Sequence, residues 1–184
     1  VRARALRIPV TLGEMLQRRL HGRFELEAPE VNLEVDLKGD VSWAGPGKGP
    51  ALPETESFLI EDGILRYYDQ RNQQSIILPG ANLAVTLSPG GEVTADGNAV
   101  VGGRLSGITI YLKDVGRVAG TGSPFDLSLD SPLLKVSFNG RLSTSVALNL
   151  AGPLALDGNS LRDTARWIGM PLPGTRGLGA FSIS

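Results

Sequence analysis

The sequence predicts a mainly β chain, and three observations lead there. Apolar residues recur at every second position in many short stretches, Gly and Pro punctuate the intervals between them, and helical spacing is confined to two places. Hydrophobic residues make up 41% of the 184 and charged residues 20%, with 24 Gly and 12 Pro, so the composition is foldable and rich in turn formers.

Taken in order, residues 11–20 form the first helical pattern: Thr11 can cap, Glu14 completes a capping box, and Leu12, Met15, Leu16 and Leu20 share one face. Alternation then begins. In Phe24-Glu25-Leu26-Glu27-Ala28 the apolar residues are even-numbered; in Val31-Asn32-Leu33-Glu34-Val35-Asp36-Leu37 they are odd-numbered. The phase flips at Pro29-Glu30, which predicts a bulge or break there, because a one-residue slip sends every side chain to the other face. Residues 44–53, Ala-Gly-Pro-Gly-Lys-Gly-Pro-Ala-Leu-Pro, read as a flexible loop inserted within one architecture, so residues 1–184 are expected to form a single segment.

Period two returns at Ala81, Leu83, Val85 and Leu87, and again at Ile108, Ile110 and Leu112. It continues at Phe125, Leu127 and Leu129, at Leu134, Val136 and Phe138, and at Val146, Leu148 and Leu150. Asp62-Gly63, Pro89-Gly90-Gly91, Asp96-Gly97, Asn139-Gly140 and Asp157-Gly158 carry turn chemistry and predict hairpins. The second helical pattern spans residues 160–168, with Ser160 as cap, Asp163 three residues on, and Gly169 and Pro171 as a stop. No fixed-period repeat marks a solenoid.

Charge and composition exclude several functions. Net charge is −1, which argues against affinity built on neutralising many phosphates; no nucleic-acid partner is expected. The distribution is uneven: residues 1–23 carry six arginines against Glu14, and residues 24–69 carry eleven acids against Lys38, Lys48 and Arg66. A solvated charged face accounts for this more simply than contact with anionic headgroups. There is no cysteine, so disulfides, thiolate nucleophiles and thiolate metal sites are out. No apolar run is long enough to span a bilayer. The opening at Val1 and the strand-like close Ala180-Phe181-Ser182-Ile183-Ser184 read as an excised internal piece, any membrane anchor lying outside it.

The catalytic inventory is thin. His21, the sole histidine, follows the first helical pattern, where a helix-end cation is the simpler role. Glu61 and Asp62 are adjacent and would point to opposite faces of a strand, so turn chemistry outweighs a catalytic acid pair. Asp126 and Asp130 are too sparse for calcium. Gly102-Gly103-Arg104-Leu105-Ser106-Gly107 lacks the Gly-Lys-Ser/Thr of a phosphate loop, and aromatic residues are few for a stacking platform. The chain is expected to be non-enzymatic and to need no cofactor.

Three stretches carry a resemblance. Phe58-Leu59-Ile60-Glu61-Asp62-Gly63-Ile64-Leu65-Arg66-Tyr67-Tyr68-Asp69, running on through Arg71 to Ile76-Ile77-Leu78, resembles the I-x-D/N-G-x-L-x-Y-x-D signature of the AsmA family of Gram-negative envelope proteins. Pro132-Leu133-Leu134-Lys135-Val136-Ser137-Phe138-Asn139-Gly140-Arg141-Leu142 follows in the family's order. So do Ser160-Leu161-Arg162-Asp163-Thr164-Ala165-Arg166-Trp167-Ile168-Gly169, then Pro171-Leu172-Pro173 and Gly177-Leu178-Gly179-Ala180-Phe181-Ser182-Ile183, similar to the family's helix and returning strand. The opening is similar too, where Glu27-Ala28-Pro29-Glu30-Val31-Asn32-Leu33-Glu34 matches E-x-P-x-V-x-L-E after a short helix. Asn72-Gln73-Gln74 stands where the family commonly has a glycine, which alters that turn.

The resemblance implies a long, curved antiparallel sheet of successive hairpins with two short helices, its concave face an apolar groove. It further implies an inner-membrane anchor, a periplasmic location, and passage of phospholipid toward the outer membrane in support of outer-membrane assembly. On that reading Val31, Leu33, Val35, Leu83, Val85, Ile108, Ile110, Leu127, Leu129, Val136, Phe138, Leu148 and Leu150 share one face and bind lipid, acyl chains being the partner. Taken without the resemblance, the same stripe reads as a sandwich core closed on itself. A scaffold that binds outer-membrane assembly proteins through open sheet edges is the alternative function. An enzyme acting on envelope glycans or lipids comes last.

Overall fold

The structure, a computed structural model, describes residues 5–7, 23–40, 42, 56–144, 148–167 and 179–184. The first helical pattern, His21 and the loop at 44–53 lie outside the described residues, as does the last residue of the second pattern, Ile168.

The described residues form one twelve-stranded sheet. Its strands are β1 (Ala5–Arg7), β2 (Arg23–Glu27), β3 (Glu30–Val35), β4 (Glu56–Asp69), β5 (Gln74–Leu87), β6 (Val93–Val101) and β7 (Arg104–Leu112). After a 3-10 turn at Val115–Arg117 come β8 (Ser123–Asp130), β9 (Leu134–Ser143), β10 (Asn149–Ala151), β11 (Leu154–Gly158), the helix α1 (Leu161–Trp167) and β12 (Phe181–Ile183). From β4 to β9 each strand pairs antiparallel with the next, as short connections require. Two pairings depart from the expected antiparallel pattern: β2 and β3 both run parallel to β4. A parallel pair needs a crossover of a dozen or more residues, and the stretch 36–55 has that length.

β2 and β3 lie end to end along β4, and the phase flip predicted between them is present. Ala28 takes a positive φ of 46° before Pro29, and opposite it Asp62 in β4 has φ 52°. The break is stitched across by Ala28 N donating to Glu61 O at 2.8 Å and Ile64 N to Pro29 O at 2.8 Å. The flip does not turn the apolar set to the other face. Because β4 bulges at the same level, and β5 has Gly80 at φ 59°, three neighbouring strands change phase together. Even-numbered Leu26, Phe58 and Ile60 before the crease, and odd-numbered Leu33, Leu65 and Tyr67 after it, therefore share one face. Asn82 fastens the crease from the other face: its Oδ1 accepts from Asp62 N at 3.0 Å and its Nδ2 donates to Gly80 O at 3.1 Å.

Of the five predicted turn signals, only Pro89-Gly90-Gly91 is a reversal between strands. Asp62-Gly63, Asp96-Gly97 and Asn139-Gly140 lie inside β4, β6 and β9, and Asp157-Gly158 closes β11. The glycines answer to close approach instead of reversal. A Cβ on Gly97, at φ 152°, would lie 2.0 Å from Asn82 O in the neighbouring strand, and one on Gly63 would lie 2.6 Å from Ile60 Cγ2. The actual β6–β7 reversal is Gly102-Gly103, both at positive φ, a two-residue turn matched to strand twist.

The second helical pattern is α1. Ser160 caps it, its Oγ accepting from Asp163 N at 3.2 Å. The helix lies across the turns at one end of the sheet: Thr164 Oγ1 donates to Leu133 O at 3.2 Å, and Trp167 Nε1 to Val101 O at 3.1 Å and Gly102 O at 3.0 Å. Ala165 is buried beneath it.

Candidate functional site

Register decides which side chains share a face, since directly opposed residues point the same way. Starting from Val31, Leu33 and Val35, which oppose Leu65, Tyr67 and Asp69, the pairing passes to Leu83 and Val85 beside Ile60 and Phe58. It continues through Gly97 and Ala95 to Ile108 and Ile110, then to Leu129 and Leu127, then to Val136 and Phe138. Leu150 of β10 opposes Leu142 of β9, and Leu148 packs against Val35 and Tyr67. All thirteen residues of the predicted stripe thus lie on one face of the sheet.

That face is concave. β4 and β9 are five strand spacings apart in sheet order, roughly 24 Å if the sheet were flat. Yet Leu148, just beyond β9, packs against Val35 and Tyr67, and Arg71 Nη1, just beyond β4, donates to Thr144 O at 3.4 Å. The sheet must curl over its apolar side, and the crease through β2/β3, β4 and β5 is where bulges supply the bend.

The curl covers the face unequally. Val35, Ile108 and Phe138 are buried, and Leu150 is 46% exposed; the other nine of the thirteen are half-buried. Buried residues gather in three clusters along the face, one around Phe125 and Phe138, one around Val35 and Tyr67, one around Ala81, Ala99 and Ile108. Val31, Val85, Val136 and Leu150 belong to none of these. Beyond β9 the apolar face continues through Leu154, Leu156 and Ile183, with Leu154 and Ile183 about half exposed.

Where the arm formed by β2/β3, β4 and the first half of β5 meets the end of β9 there is a cavity of about 240 Å³. Leu33 and Tyr67 wall it on the arm side; Leu112, Val115 and Val118 on the β7 side; Leu142, Thr144 and Leu148 on the β9 side. Beside it sits a polar cluster that sequence reasoning did not assign to the site. Asp69 lies on the apolar face and is fully buried. Arg71 Nε and Nη2 donate to its two oxygens at 2.9 and 2.8 Å, a bidentate pair, and Arg71 N donates to Oδ1 at 3.0 Å. Tyr67 Oη donates to Asp69 Oδ2 at 3.4 Å. The Arg71 hydrogen bonds hold the Asp69 carboxyl below the usual aspartate range despite its burial, while burial and the Asp69 charge push the Tyr67 phenol up. Thr144 Oγ1 is buried with no hydrogen-bond partner among the described residues.

Asp69 and Arg71 were visible in the sequence as part of the motif; the cross-sheet contact that gives them a role was not. Val118 had no signal, since it lies in the β7–β8 connection outside any alternation. Glu61 and Asp62 are exposed on the crease, and Asp126 pairs with Asn139 on the convex side. Among the described residues no group of three or more His, Cys, Asp or Glu could hold a metal ion, and no helix is long and apolar enough to cross a membrane.

No family model, curated protein or solved structure matches the chain.

Proposed function

We propose that this chain is a non-enzymatic segment of an AsmA-like periplasmic protein anchored in the inner membrane. It carries phospholipid acyl chains on its apolar face toward the outer membrane and so supports outer-membrane assembly. The observation that carries this reading is a single concave face holding all thirteen apolar residues, most of them only half covered among the described residues. A sealed sandwich core would bury them. Hydrocarbon is a suitable cover, since each buried methylene contributes about 0.8 kcal/mol. Three of the sheet's edges offer little to strand addition by a partner. β10 and β12 are three residues each, and the outer edge of β3 is engaged at Glu34, whose N donates to Ser42 Oγ at 2.9 Å. Native mass spectrometry of the purified chain tests the proposal: co-purifying phospholipid, displaced by added detergent, is the expected result. A chain that stays lipid-free after incubation with phospholipid vesicles, with no change in its melting temperature, would sink it.

A further inference from the structure

We infer that the cavity between the arm and the end of β9 is an end-stop pocket for the methyl end of one hydrocarbon tail, and that it selects tails by length. The inference rests on the lipid reading above and deepens it.

Three observations define the pocket. Its walls come from β3, β4, β7, β9 and the segments after β7 and β9, so it exists only because the sheet curls, and they are apolar apart from the tips of Tyr67 and Thr144. Its volume is about 240 Å³. An apolar cavity of about 150 Å³ stays dry and accepts the six carbons of benzene, which scales to about nine or ten carbons here. That is too small for a whole phospholipid and well suited to the last half of one chain. Third, the pocket is backed by charge. Tyr67 and Thr144, two of its walls, are tied directly to Asp69 and Arg71. A methyl end pushed past them would have to enter the buried ion pair, which apolar atoms cannot solvate. A tail can therefore advance along the open face from the β9–β12 side and stop at this cluster.

The test uses the full chain and four lysophosphatidylcholines of identical headgroup, octanoyl, dodecanoyl, palmitoyl and stearoyl, each titrated by displacement of a bound fluorescent fatty acid. The wild-type chain should favour palmitoyl over octanoyl. Filling the pocket from either wall, by Leu148→Phe or by Leu33→Phe, should cut that preference at least tenfold; a tenfold loss is what about two stranded methylenes would give. Two variants on opposite walls guard against one failing to fold, with circular-dichroism melting as the control. If both variants fold and keep the wild-type preference for long tails, the pocket is not an end stop, although the face still binds lipid. If the wild-type chain binds none of the four, the lipid reading itself fails, and this inference with it.

Discussion

The two margins of the sheet are built alike and end differently. At one, the split pair β2 and β3 runs along the continuous strand β4; at the other, the split pair β10 and β11 runs along the continuous strand β9. Each has its break opposite a glycine, Gly63 in β4 and Gly140 in β9. At the β4 margin Val35 has no exposure and Tyr67 only 7%, beside half-buried Val31, Leu33 and Leu65. At the β9 margin Leu150, Leu154 and Ile183 are about half exposed. Both margins present apolar residues to the same face, on strands paired in parallel at β4 and antiparallel at β9. The β4 margin differs in carrying the bulged crease, which lets the sheet fold over, and a buried charge pair that reaches across to Thr144. Local strand chemistry sets which face is apolar, while a few irregular residues set how much of it stays open.

The largest effect should come from the charge pair. Arg71→Met leaves the Asp69 carboxylate buried without its partner and removes the bond to Thr144 O; the melting temperature should fall by about 5 °C or more. Dye binding by the apolar face should rise as the curl loosens, and an unchanged melt with unchanged dye binding would remove the distinction between the margins. The pH dependence sharpens the same point. Because the folded state holds the Asp69 carboxyl below its unfolded value, its contribution is complete above the ordinary aspartate range and is lost as pH falls through the lower, folded value. Acid denaturation of wild type should therefore be steeper than that of Asp69→Asn, which starts less stable and carries no titrating group there. A smaller loss is expected for Tyr67→Phe, on the order of 0.5 kcal/mol by urea unfolding, because it removes a single long hydrogen bond to Asp69. Smallest of all for stability is Leu154→Ser combined with Ile183→Ser at the open margin, within about 0.5 kcal/mol of wild type. Under the proposed function that pair should nevertheless lower the amount of co-purifying lipid, which phosphorus quantitation of the extracted protein would reveal.

Much of the fold was readable because alternation is a local property. The stretches around Val31, Leu83, Ile108, Leu127, Val136 and Leu148 declared a period of two, and Ser160 with Asp163 declared a capped helix. Asp-Gly and Asn-Gly misled because the same residues serve a reversal or a crowded point within a strand. Only the neighbouring strand, such as Asn82 O beside Gly97, decides between these, and it is distant in sequence. In the site, the identity of the apolar face followed from spacing, whereas the curl did not. It depends on Arg71 meeting Thr144 and Leu148 meeting Val35, contacts between segments that no periodicity links.

The crease also constrains how this protein can change. With three adjoining strands shifting count at one level, β2/β3, β4 and β5 are locked together like teeth on meshed gears. Deleting one residue beside Asp62 alone would aim Leu65 and Tyr67 outward, and the loss could be repaired only by matching deletions near Pro29 and Gly80. Strand lengths in this arm can therefore drift only in concert, whereas those beyond β9 are free of that rule.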